Sequence, residues 1–196
     1  MNTVILDNVR DKILDLVVSI NPHDPLEKQH INDTAAWIKN GEQIFRITKP
    51  DNPNKHLVSY FVMFDQANEK ILLVDHKKAE LWLPSGGHVE IDEDPADTVT
   101  RECMEELYVT AEFWSKKPVF ITQTVTVGKT AGHTDVSLWY VIKGNSNIEY
   151  DFDQEEFSSI RWFGLDEVPY GRSDPHMERF INKFKNISQQ PVDQIL

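Results

Sequence analysis

The chain has 196 residues, 40% of them apolar and 27% charged, which suits one packed core and excludes a disordered or low-complexity chain. Net charge is −12, from 32 acidic and 20 basic residues, and a surface that negative repels a phosphate backbone, so duplex DNA is excluded as a nonspecific partner. Small phosphorylated ligands remain open, because a bound divalent cation reverses the field locally.

Residues 1–20 carry Ile5, Val9, Ile13, Leu16 and Ile20 at helical spacing, and Asn21-Pro22 stops that helix. Asp7, Arg10, Asp11 and Lys12 interrupt the apolar pattern, so no signal-peptide core is present. The longest apolar stretches, such as 58–64, are far too short to span a bilayer, and a soluble cytoplasmic protein is expected, with no membrane partner. A second helix is predicted from Pro25 to Asn40, ended by Gly41, and 49–56 (KPDNPNKH) reads as a linker. Residues 1–55 thus form an N-terminal helical extension, serving packing or a homodimer contact.

Strand patterns follow at 57–65 and 70–76, with a hairpin turn between them. A short apolar run at 81–84 leads into SGGHVEI, and Asp94-Pro95 opens a helix as N-cap and first helical residue. Further strands are predicted at 118–127, 134–144 and 159–165, and an amphipathic helix at 176–187. The expected architecture is α/β (α+β), a sandwich of helices on a mixed sheet over 56–187, with 188–196 as a tail.

The helix after Pro95 carries the chemistry. Glu102, Glu105 and Glu106 stand at i, i+3 and i+4, so their carboxylates are expected on one face, with Ala96, Val99, Cys103 and Leu107 on the buried side. Like charges so spaced cost roughly 0.2–0.5 kcal/mol per pair. Geometry alone leaves two readings open: a solvated acidic face, or an oxygen-rich site for a divalent cation. The glycines Gly86 and Gly87, just before the helix, favour the second, since glycine lets backbone approach a metal closely.

The stretch GGHVEIDEDPADTVTRECMEELYV, 86–109, resembles the Nudix box, with Gly87, Glu93, Arg101, Glu102, Glu105 and Glu106 at its fixed positions. Tyr108 replaces the final glycine of the pattern, so a different helix cap is expected, and Cys103 takes an apolar position as packing. The single cysteine also excludes an intramolecular disulfide.

The resemblance implies a Nudix-type pyrophosphohydrolase, cleaving a diphosphate linkage in a nucleoside diphosphate joined to another moiety by metal-activated water attack. It implies Mg²⁺ or Mn²⁺ as cofactor, held by Glu105, Glu106, the Gly87 carbonyl and Glu102, with Glu102 alternatively the base. Arg101 and Glu93 would form a supporting ion pair, and Glu156 or Glu155 would supply a further carboxylate. His133, Asp135, Trp139 and His88 are the candidate substrate contacts, against ordinary turn and core roles. The alternatives are a non-catalytic Nudix module that binds a nucleotide in regulation, and an isopentenyl diphosphate isomerase, which would want a cysteine as active-site acid.

Overall fold

A computed structural model describes residues 2–49, 52–127 and 132–189, with side chains from residue 9 onward. Four helices, α1 (Asn2–Ser19), α2 (Pro25–Lys39), α3 (Pro95–Leu107) and α4 (Met177–Ser188), surround seven strands. These are β1 (Lys55–Asp65), β2 (Lys70–His76), β3 (Leu81–Leu83), β4 (Ser85–His88), β5 (Phe120–Val125), β6 (Thr134–Lys143) and β7 (Phe157–Gly164). The expected mixed α/β architecture is what forms: β1 and β6 pair in parallel over their length, and the remaining pairs are antiparallel. Ile5, Lys49–His56 in part and the tail were also read from the sequence; the Ile5 side chain, residues 50 and 51, and residues 190–196 lie outside the described set.

The central strands are buried on both faces, so their side chains sort by parity. Leu57, Phe61 and Met63 of β1 join Val136, Leu138, Tyr140 and Ile142 of β6 in one core, which also takes Ile13 and Val17 of α1, Ile31 and Ile38 of α2, and Val99, Cys103 and Leu107 of α3. Val62, Phe64, Trp139 and Val141 face the other way, onto Phe180, Ile181 and Phe184 of α4. The N-terminal helices therefore share a core with the sheet.

Two features of the sheet place the site. One edge of β1 is divided: residues 63–65 pair with β2, while 58–61 pair with β4. Beyond its first residues β2 turns to β3 instead. The β3–β4 segment thus fills the gap where β1 and β2 part, and carries the glycines toward α3. At the far edge, α2 lies beside β5, with the Gln123 amide donating to Thr34 Oγ1 at 3.1 Å. A covered edge strand has no free ladder to offer another chain.

Charge locks α2 to α4. Asp24, the α2 N-cap, accepts from the Arg179 guanidinium at 2.7 Å to each oxygen, and Arg179 holds its carboxyl far below the ordinary range. Lys183 meets Glu27 at 2.7 Å, with both side chains almost fully buried. Removing one partner of such a pair strands a charge in the core. Lys183→Met is expected to destabilise the fold by about 3–5 kcal/mol, and Lys183→Met with Glu27→Gln by clearly less. Urea unfolding measures both; equal losses would show that packing, not the stranded carboxylate, sets the cost.

Candidate active site

The start of α3 follows from its sequence: the Asp94 side chain accepts from Ala96 N at 2.9 Å, and Pro95 fills the first turn. Its carboxylates line one common cleft, but they differ in exposure. The Glu105 side chain is 60% exposed, Glu102 is 13% exposed, and Glu106 is only 6% exposed as a residue. Glu106 stands next to Leu107 and three residues after Cys103, which puts it at the border of the buried stripe. There its Oε2 accepts from Ser85 Oγ at 2.6 Å and from Gly86 N at 3.0 Å. Burial, reinforced by the charges of Glu102 and Glu156, pushes the Glu106 carboxyl up to about 8, against the pull of Ser85. Burial also raises Glu102, which Arg101 opposes.

The approach of β4 to the helix leaves no room for side chains on its glycines. A Cβ on Gly86, whose φ is +143°, would fall 2.1 Å from the Ser59 carbonyl oxygen. One on Gly87 would fall 1.9 Å from Glu102 Oε1. The paired glycines let backbone and carboxylates meet.

Arg101 ties these parts together. Its Nε and Nη2 donate to the two oxygens of Glu93 at 2.9 and 3.1 Å, a bidentate fork. Nη1 donates to Glu102 Oε1 at 2.6 Å and Glu105 Oε2 at 3.3 Å, and Nη2 also reaches the His88 carbonyl at 3.2 Å. Glu93 further accepts from Thr98 Oγ1 at 2.7 Å and Glu90 N at 3.0 Å. One cation thus holds the loop, the helix and β4 in register.

The carboxylates open into a cleft of about 1190 Å³. Glu156 lines it, whereas Glu155 points to a separate shallow surface and is exposed. Arg46, Lys49 and Lys78 also line the cleft and bring positive charge to it. His88, His133 and Asp135 stand there with His56, a fully buried histidine that the sequence reading did not single out. His56 rests on the strand face that alternation assigns to the core, so nothing in its sequence context separates it from a packing residue. Burial and the Arg46 charge hold His88 down at about 3. Burial opposes charge on His56 too, but Asp135 and the Pro53 carbonyl win and raise it.

Two expectations need correction. Trp139 is fully buried, donates its Nε1–H to Thr122 Oγ1 at 2.9 Å and stacks on Phe180 at 4.9 Å, so no base can reach it. Its β6 position points into the α4 core. Tyr108 is not replaced by another cap: it adopts the left-handed conformation itself (φ 54°, ψ 32°), donating its N–H to the Cys103 carbonyl, with its side chain largely exposed. The cost of that conformation, on the order of 1 kcal/mol, is the one the usual glycine avoids. Cys103 is fully buried and burial pushes its thiol up to about 12, so it offers no active-site acid.

Comparison with known proteins gives a consistent result. The NUDIX domain family model matches residues 55–184. The human protein "Nucleoside diphosphate-linked moiety X motif 6" is 32% identical over 108 residues, covering 54% of this chain and 33% of its own, so the chain spans about a third of that relative's length. A NUDIX-family hydrolase from Clostridium perfringens superposes with a TM-score of 0.55 at 18% identity, covering 67% of this chain and 97% of its own. A UDP-X diphosphatase covers 95% of this chain and 97% of its own, with a TM-score of 0.51 at 14% identity. The first of these structures is alike in fold over two thirds of the chain, and the second extends the likeness in fold over nearly the whole chain. Because the family model runs from the first residue of β1 into α4 and takes in the Arg101-centred box, the chain belongs to the NUDIX family.

Proposed function

We propose that the chain hydrolyses the diphosphate linkage of a nucleoside diphosphate joined to another moiety. The observation that carries this reading is the convergence of Glu102, Glu105, Glu106 and Glu156 on one cleft beside Gly86 and Gly87. Four carboxylates, one of them buried, suit an oxygen-preferring cation, Mg²⁺ or Mn²⁺. Nudix hydrolases as a family generally use divalent metals. The names of the human relative and of the solved UDP-X diphosphatase support the substrate class. A regulatory, non-catalytic module has no comparable support, since none of the box carboxylates is lost.

A cation held there supplies the charge that neutralises a diphosphate and makes water easier to deprotonate. The chain's own residues do the rest. Glu106, fixed by Ser85 and the Gly86 amide, and the exposed Glu105 both line the cleft where the cation would be held. Glu102, with a carboxyl raised by burial, accepts the proton from the attacking water. Arg101 holds Glu102 at the angle this needs, and Arg46 and Lys49 line the cleft where anionic groups of the substrate enter.

Nucleotide sugars, ADP-ribose and dinucleotides, assayed with Mg²⁺ or Mn²⁺, should yield a nucleoside monophosphate as one product. Glu105→Gln and Glu106→Gln should each lose about 10²–10⁴-fold in kcat with the fold intact, and a chelator should abolish turnover. Wild-type rates in both variants, or full activity in chelator, would sink the assignment.

Glu106 also sets a pH dependence. Between its ordinary 4.5 and about 8, the folded metal-free chain keeps a proton that the unfolded chain has lost. Stability in chelator should therefore fall as pH rises through that window, by on the order of a few kcal/mol. Glu106→Gln mimics the protonated acid and should flatten that slope in thermal melts. An unchanged slope would mean that other groups carry it.

A further inference from the structure

We infer that His56, His133 and Asp135, with His88 beside them, form a second metal site, suited to a first-row transition ion such as Zn²⁺ and separate from the carboxylates of α3. One ligand atom from each of the four lies within 4.8 Å of all the others. The sheet creates this meeting. His56 of β1 and Asp135 of β6 are register partners in the parallel pair, so their side chains leave the same face side by side. His88 of β4 is opposite Val58, two residues along β1 on that face, and His133 precedes Asp135 by two. Four donors from three neighbouring chain segments therefore gather at one end of one face.

The hydrogen bonding leaves a gap that a cation fills. His56 Nδ1 lies 2.8 Å from the Pro53 carbonyl, an acceptor only, so Nδ1 carries the hydrogen and Nε2 of the neutral ring presents a lone pair. That lone pair faces Asp135 Oδ1 at 3.3 Å, acceptor against acceptor. Neither atom has a hydrogen-bond partner of good geometry among the described residues, although His56 is fully buried. The same Asp135 oxygen is 3.1 Å from His133 Nε2, and His133 Nδ1 contacts Thr126 Oγ1 at 3.1 Å. Histidine ligands are commonly oriented in this way, through a hydrogen bond at the other ring nitrogen. Two imidazoles and a carboxylate, with a third imidazole at hand, suit a borderline ion better than Mg²⁺. His88 Nε2 is 3.3 Å from Arg46 Nη1, so His88 joins only when the half-buried Arg46 turns away.

The test uses the full chain with Glu102, Glu105 and Glu106 all changed to Gln, which removes the α3 carboxylates as metal ligands. Co²⁺ absorption and Zn²⁺ competition with a chromophoric chelator should report one site per chain with nitrogen ligation. Adding Asp135→Asn or His133→Gln should weaken Zn²⁺ at least about 100-fold and remove the Co²⁺ bands. Zn²⁺ should also raise the melting temperature of the parent and not of Asp135→Asn. Asp135→Asn keeps size and shape, so its own melt in chelator shows that it folds. Absence of a site in the parent, or equal affinity with and without Asp135→Asn and His133→Gln, would overturn the assignment. Neither result would bear on hydrolysis, which is assayed on the unaltered α3 carboxylates.

Discussion

The geometry of the site depends on the Arg101 guanidinium. Its N–H groups reach Glu93, Glu102, Glu105 and the carbonyl of His88, and so join the loop before α3, the helix itself and β4. Guanidinium is planar and permanently charged, so the arrangement is fixed in direction as well as in charge. Without it the acidic residues of α3 would repel one another and β4 would lose a tie to the helix. Because the fork on Glu93 is bidentate, the loop cannot rotate without breaking two bonds at once.

Around that centre the fold separates support from function by face. One face of the sheet carries α1, α2 and α3 on a continuous apolar core, and the other carries α4 with its aromatic stack of Trp139, Phe180 and Phe184. Ser59, Ser85 and Glu106 are buried polar residues where β1 leaves β2 and turns to β4. The extension is fastened to α4 by Asp24–Arg179 and Glu27–Lys183, and it covers the β5 edge. It also supplies Arg46 and Lys49 to the cleft, so the same segment stabilises the sheet and lines the site.

Much of the fold is legible in the sequence because its signals are local. Asp94-Pro95 marks the start of α3, short apolar runs mark β1, β2 and β6, and the apolar period marks α4. Gly87, Glu93, Arg101 and the three glutamates lie within twenty residues, so their spacing can be compared directly with a family pattern. The burial of Glu106 is less visible, since it depends on Ser85 and Gly86 docking from another strand. Trp139 misleads for the same reason: an aromatic in the middle of a strand can face a ligand or a helix, and only α4 decides. Tyr108 misleads differently: the local conformational cost is real, yet its backbone N–H still closes the helix on the Cys103 carbonyl.

By itself, the sequence determined the elements, the mixed α/β class and the acidic box, all of which rest on interactions between residues near one another in the chain. Only the tertiary structure decided which carboxylate is buried, which side of the cleft is positive, and that His56 meets Asp135 across 79 positions of chain. Those facts come from strand register and from the parting of β1 from β2. β1 and β6 are parallel and far apart in the chain, so no hairpin turn joins them and their register is reached only through long-range packing.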